Sequence, residues 1–97
     1  MAKVIWTIQA EQNLFEILNY WVKKEKKEYA EELLEDIKKR INIVSKNIYI
    51  GQGTEDGSTR IIHKYNYSIY YRTIEERVYI VLLENNTMNE AIDKNKI

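Results

Sequence analysis

The side chains able to do acid–base or electrostatic work gather in the second half of this chain. His63 is the single histidine, and the one side chain that titrates near neutrality without help. Near it in sequence, Arg60, Lys64, Arg72 and Arg77 supply cations, and Tyr70 and Tyr71 supply a phenol donor or a flat face on which a base can stack. Together they offer a general base and positive charge for a developing anion. The spacing restricts that offer. If residues 59–64 form a strand, alternate side chains point to opposite faces. Arg60 and Lys64 then share one face and His63 points to the other, unless a bulge intervenes. A surface or half-buried strand histidine is the simpler account of His63. Arg72 and Arg77 flank a short turn, where charges also discourage edge-to-edge pairing.

Composition excludes several classes of function. There is no cysteine, hence no disulfide, no thiolate nucleophile and no cysteine-based zinc site, and a lone histidine argues against a multi-histidine metal site. Fifteen basic residues balance fifteen acidic ones, so a generic nucleic-acid binder with a basic excess is disfavoured, and a local patch would have to do such work. Gly51, Gly53 and Gly57 fit neither a P-loop nor a dinucleotide fingerprint. No cofactor is expected. No apolar run approaches the roughly 20 residues that span a membrane. Met1-Ala2-Lys3 leads directly into a strand pattern rather than a signal peptide, and a cytoplasmic location is the expectation.

The elements that must position these residues follow from periodicity. Lys3 to Ile8 contains the consecutive apolar run Val4-Ile5-Trp6, the pattern of a strand buried on both faces. Thr7 suits a helix N-cap. Ala10, Leu14, Ile17, Leu18 and Trp21 then form one helical stripe, widened by Phe15 and Val22. The charged run 23–28 reads as a solvated turn. A second stripe follows in Ala30, Leu33, Leu34, Ile37, Ile41 and Val44, with acids leading and bases trailing on its outer side. The glycine-containing stretch from Asn47 to Ser58 reads as an irregular loop. Thr59–Lys64, Tyr67–Ile74 and Arg77–Leu83 then alternate with period two, joined by turns short enough to require antiparallel pairing. Residues 1–97 thus predict one α+β domain in the order β-α-α-β-β-β: a helical hairpin on one face of a four-stranded antiparallel sheet, with the first strand antiparallel to the one after the loop. After Glu84 the polar composition suggests a short turn or helix, including Met88, and a frayed tail over 90–97.

This ordered set resembles the RelE/ParE superfamily of toxins from type II toxin–antitoxin systems. The likeness rests on Val4-Ile5-Trp6-Thr7-Ile8-Gln9-Ala10, on Asn13-Leu14 with Ile17, Tyr20 and Trp21, and on Tyr29-Ala30 with Leu33. It continues in Gly57-Ser58-Thr59-Arg60, Tyr67-Ser68-Ile69-Tyr70-Tyr71-Arg72 and Val78-Tyr79-Ile80-Val81-Leu82-Leu83, and covers about residues 3 to 90. The departures are informative. Ser68 stands where ribosome-dependent mRNA-cleaving members carry an arginine. The stretch Glu84-Asn85-Asn86-Thr87-Met88-Asn89-Glu90 replaces their basic cluster and tyrosine, and the loop before Gly57 lacks the proline usual in the superfamily.

The resemblance implies a growth-arresting toxin neutralised by a cognate antitoxin whose flexible segment folds on binding. Loss of the RelE-type arginines leans toward ParE-like inhibition of DNA gyrase by binding. The alternatives are a ribosome-dependent mRNA endonuclease with an altered residue set, and a non-toxic antitoxin-binding relic. In the endonuclease case Arg60 and His63 are the candidate catalytic residues, and Arg60 stands at the family's recurrent arginine. Its structural role would be to anchor the glycine loop or to clasp a carboxylate such as Glu84. Lys64, Tyr70, Arg72, Arg77, Glu84 and Asn86 are the candidate contacts to the target or to RNA. Phe15, Tyr20, Val22 and Tyr29 exceed what the two helical stripes need and are the candidate antitoxin contacts; the structural alternative is that they finish the core.

Overall fold

The computed structural model of the chain describes residues 1–55 and 57–86. The polar turn or helix expected around Met88 and the tail at 90–97 lie outside them. The order is β1 (Lys3–Trp6), α1 (Ile8–Lys23), α2 (Lys27–Lys46), β2 (Gln52–Gly53), β3 (Thr59–His63), β4 (Ser68–Ile74) and β5 (Arg77–Glu84). Thr7 caps α1 as its sequence position suggests. Its Oγ1 accepts the Ala10 N–H at 3.2 Å and donates to the Ile80 carbonyl at 2.8 Å, so one hydroxyl both starts the helix and ties it to the sheet. At the other end of α1, Glu25 N–H bonds to Val22 O and Lys26 N–H to Trp21 O. This is the Schellman pattern, with Glu25 at φ 60° where glycine is usual.

The sheet has five strands in the order β1-β5-β4-β3-β2. Three expectations are corrected here. β1 pairs with β5 in parallel, Lys3 to Arg77 through Trp6 to Ile80, so the sheet is mixed rather than wholly antiparallel. The cause lies in the loop after α2. Gln52 and Gly53 form a two-residue strand antiparallel to β3, which adds one more reversal of direction before β3 begins. With it, β3 runs the same way as β1 rather than against it. β1 is also an edge strand, half-buried over Val4–Trp6 rather than enclosed on both faces. Val4 and Trp6 pack on the core, while Ile5 pairs with Tyr79 on the opposite face.

Both helices cover one face of the sheet. Ala10 and Ile17 from α1, and Leu33, Ile37, Ile41 and Val44 from α2, meet Tyr67, Ile69, Tyr71, Val78, Ile80 and Leu83 in a single buried cluster. Burial of this apolar area is the main stabilising term. The β4–β5 register slips between Tyr70, opposite Leu82, and Tyr71, opposite Ile80, leaving Val81 as the extra residue of a bulge. Asn13 Oδ1 accepts the Leu83 N–H at 3.2 Å beside this irregularity.

Two buried tyrosines carry their hydroxyls to defined partners. Tyr67 donates to Asp36 on α2. Tyr71 donates to the Ile48 carbonyl at 3.0 Å and accepts from the Gly51 N–H at 2.8 Å, fixing the loop that follows α2. A Cβ on Gly51 would lie 2.7 Å from the Tyr71 hydroxyl and 3.1 Å from Arg60 Cβ, so the close approach requires glycine. Burial disfavours the phenolate and pushes the pKa of both phenols above the ordinary tyrosine value, and for Tyr67 the Asp36 carboxylate adds to the effect.

Four outcomes are expected. Tyr71→Phe strands a buried N–H and a carbonyl and should cost about 1–3 kcal/mol, while Gly51→Ala should cost a similar ~1–3 kcal/mol through overpacking. At roughly 4–8 °C per kcal/mol for a domain of this size, both are visible in thermal melts. Glu75 and Glu76 hold φ 50° and 64° in the β4–β5 turn, where Asn-Gly is favoured. Glu75→Asn with Glu76→Gly should therefore stabilise by about 1 kcal/mol. Because the folded state keeps the Tyr67 and Tyr71 phenols neutral, their contribution is complete below the unfolded-state value of 10.0 and is lost as pH rises beyond it. The melting midpoint should fall between pH 9 and pH 11, and fall less in Tyr67→Phe.

Candidate functional site on the open face of the sheet

The face of the sheet away from the helices carries most of the residues singled out in the sequence. Strand register places them in rows. Lys3, Arg77 and Ile74 form one row, then Ile5, Tyr79, Arg72 and Thr59. Leu82, Tyr70 and Ile61 form the next, and Glu84, Ser68 and His63 the last. The face is therefore polarised. Lys3, Arg72 and Arg77 hold one end, while His63, Glu84 and Asn86 hold the other.

At the polar end a hydrogen-bonded chain links β3, β4 and the segment after β5. His63 Nδ1 lies 3.3 Å from the Ser68 hydroxyl, and Asn86 Nδ2 donates to that hydroxyl at 3.0 Å and to the Lys64 carbonyl at 3.0 Å. The Asn86 N–H also donates to Asn66 O at 3.2 Å. Ser68 is buried, so these bonds act as a structural tie rather than presenting a free hydroxyl. Beside them, the Tyr70 phenol is bonded to Glu84. That bond, followed by burial and the carboxylate charge, holds the phenol in its neutral form above the usual range. At the basic end, Arg72 Nε donates to Thr59 Oγ1 across the strand pair at 3.0 Å.

Arg60 lies elsewhere. It is paired with Tyr71 and so sits on the helix side of the sheet, while His63 pairs with Ser68 on the open side. The parity argument from the sequence thus holds in three dimensions. The Arg60 guanidinium donates to the Gly51 carbonyl at 2.8 Å and the Tyr49 carbonyl at 3.3 Å, and lies 5.2 Å from the centre of the Tyr49 ring. It anchors the glycine loop. The carboxylate partner suggested for it, Glu84, bonds Tyr70 instead. Lys64 follows β3 and contributes its carbonyl to the Asn86 tie.

The four candidate antitoxin contacts divide into two sets. Tyr20 and Tyr29 flank Trp21 at the hairpin turn, with edge-to-face ring contacts at 4.9 and 4.8 Å. Lys24 stands over the Tyr20 ring, and the Tyr29 hydroxyl accepts from Asn66 Nδ2 at 2.9 Å. These two tyrosines are half-buried, and Tyr29 packs on the core. Phe15 and Val22 are exposed on another side of α1 together with Ile8, which sequence reading did not single out. Beside Tyr29 opens a groove of about 840 Å³, lined by Glu28, Glu31, Glu32, Glu35 and Asp36 of α2, with Lys39 and Asn66 also contributing. The contact between Gly51 and Tyr71 is not foreseen in the sequence: Gly51 reads only as part of an irregular loop and Tyr71 as a phenol donor or stacking face, and no signal joins positions 51 and 71.

Comparison with known proteins agrees with this architecture. The family model described as the ParE toxin of the type II toxin–antitoxin system, parDE, matches residues 4–89. Among solved structures, a chain from "Chromosomal ParDE TA system from P. aeruginosa" superposes with a TM-score of 0.72 and 20% identity. The match covers 88% of this chain and 96% of that one, and at this identity it bears on the fold alone. A search of curated proteins gave no match. Among the described residues no helix is long and apolar enough to cross a membrane. The extent of the family match is decisive: this chain belongs to the ParE toxin family of type II toxin–antitoxin systems.

Proposed function

We propose that this ParE-family chain arrests growth by binding DNA gyrase through the open face of its sheet, and that a cognate antitoxin neutralises it. One observation carries the preference for binding over RNA cleavage: the candidate catalytic pair is divided between opposite faces of the sheet. Arg60 is engaged by the Tyr49 and Gly51 carbonyls, while His63 lies on the open face. Cleavage would require a base and a cation around one phosphate. Arg72 shares the face of His63, yet it lies four residues from His63's partner Ser68 along β4, about 13 Å at 3.3 Å per residue. A polarised face with separate basic and polar ends suits recognition of a protein surface through charge complementarity. Gyrase as target places the protein in the cytoplasm.

The proposed antitoxin seat is the aromatic flank at Tyr20 and Tyr29 with the acidic groove beside it. A segment folding there should combine apolar side chains for the flank with Lys or Arg for the carboxylates of α2.

Three outcomes are expected. Purified protein should block gyrase supercoiling and leave ribosome-bound message intact. Lys3→Glu with Arg77→Glu should raise the concentration needed by about tenfold or more, roughly 1.4 kcal/mol, with little change in melting temperature. Discrete cuts in ribosome-bound message that disappear in His63→Ala, with supercoiling unaffected, would instead establish an endonuclease. Normal growth on induction, with tight antitoxin binding, would establish a non-toxic relic. In calorimetry against the cognate antitoxin, Glu28→Lys with Glu32→Lys should weaken binding about tenfold; unchanged affinity would move the antitoxin off this groove.

A further inference from the structure

The outward side of α1 carries a feature that neither the core nor the proposed sites use. Ile8, Phe15 and Val22 are 77%, 70% and 47% exposed. They are spaced by seven residues, which advances a helix about 700°, within roughly 20° of two turns, so the three side chains stand in one straight row. Ala10 and Ile17, the buried residues of α1, lie about 160° or slightly less around the helix from Phe15. The row therefore faces away from the core. It runs about 21 Å along the helix and presents apolar area on the order of 300–400 Å², the size of patch that marks interaction sites.

We propose that this row is a self-association surface on which a second copy of the chain packs α1 against α1 in antiparallel fashion. The pattern is symmetric about Phe15. A two-fold axis at that residue sets Phe15 against Phe15 and Ile8 against Val22, which an isologous interface requires and a foreign partner does not. Charge selects the direction. Residues 8–16 hold Glu11 and Glu16 and no Lys or Arg, whereas 23–27 holds Lys23, Lys24, Lys26 and Lys27 against Glu25. Antiparallel packing brings each acidic half toward the partner's basic end and opposes the helix dipoles, while parallel packing stacks like on like. The area is below the roughly 1,200 Å² total of a standard interface, so the dimer is weak and forms at roughly tens to hundreds of micromolar. The inference does not depend on gyrase being the target.

The absence of native cysteine permits a direct geometric test. Under mild oxidation at high concentration, Phe15→Cys should give a disulfide-linked dimer. Ile8→Cys and Val22→Cys should each stay monomeric alone and cross-link when mixed. Sedimentation equilibrium should show reversible dimerisation that Phe15→Glu reduces at least tenfold, with an unchanged melting temperature. Strong cross-linking of Ile8→Cys with itself would indicate parallel packing and overturn the proposal. So would equal cross-linking at all three positions and at an exposed control such as Glu31→Cys, or a wild-type chain that stays monomeric at several hundred micromolar. Loss of antitoxin binding by Phe15→Glu with no dimer to lose would assign the row to the antitoxin instead.

Discussion

The hydrogen bonds that hold the loop between α2 and β3 determine how the rest of this protein is arranged. Tyr71 reaches out of the core to bond Gly51 and Ile48, and Arg60, its cross-strand neighbour, grips the Gly51 and Tyr49 carbonyls. A loop without a hydrophobic stripe of its own would otherwise be mobile. Here it is fixed firmly enough to lay down β2 and to launch β3 in the same direction as β1. That direction lets β5, two strands on, lie parallel to β1, which takes the edge of the sheet beside it. The clasp also uses the one arginine that the family resemblance offered to chemistry. Its positive charge meets carbonyl oxygens on the helix side, and the open face is left with cations at one end and a polar tie at the other.

This division of labour gives a small chain without net charge several chemically distinct surfaces. Charge is arranged rather than accumulated. The acids of α2 lie along one groove, the bases of β1, β4 and β5 cluster at one end of the open face, and the apolar row of α1 lies on yet another side. Such separation suits a protein that acts through several partners, since each surface can be complementary to one of them without overlapping the others. The backbone conformations point the same way. Glu25, Glu75 and Glu76 occupy left-handed positions that glycine or asparagine would fill at lower cost, which leaves charge at both exposed turns.

Much of this was legible in the sequence, for identifiable reasons. Each helix carries a stripe of period 3.6 and the last three strands alternate cleanly, so their existence and type followed from periodicity, with ends within about a residue or two for the strands. The separation of Arg60 from His63 followed from strand parity alone. The illegible parts have no periodic signal. A two-residue strand such as Gln52–Gly53 is too short to show a pattern, and missing it inverted the inferred direction of β3 relative to β1. The run Val4-Ile5-Trp6 looked central because β1, an edge strand, has both faces half-covered, one by the core and one by Tyr79. The turn at Glu25 carried no glycine to announce its Schellman geometry. Phe15 and Val22 exceeded what the core stripes need, but periodicity alone left open whether they finish the core; the orientation of α1 places them with Ile8 on its outer side.

The most direct test of this account is a double-mutant cycle on folding stability between Arg60→Ala and Tyr71→Phe, measured by denaturant unfolding. If the two side chains jointly hold the loop that sets the sheet order, their effects will be non-additive by about 0.5–3 kcal/mol. Additive effects within about 0.3 kcal/mol, with Arg60→Ala nearly neutral for stability, would show that Arg60 is not part of the clasp and would return it to the list of residues free to act on a target.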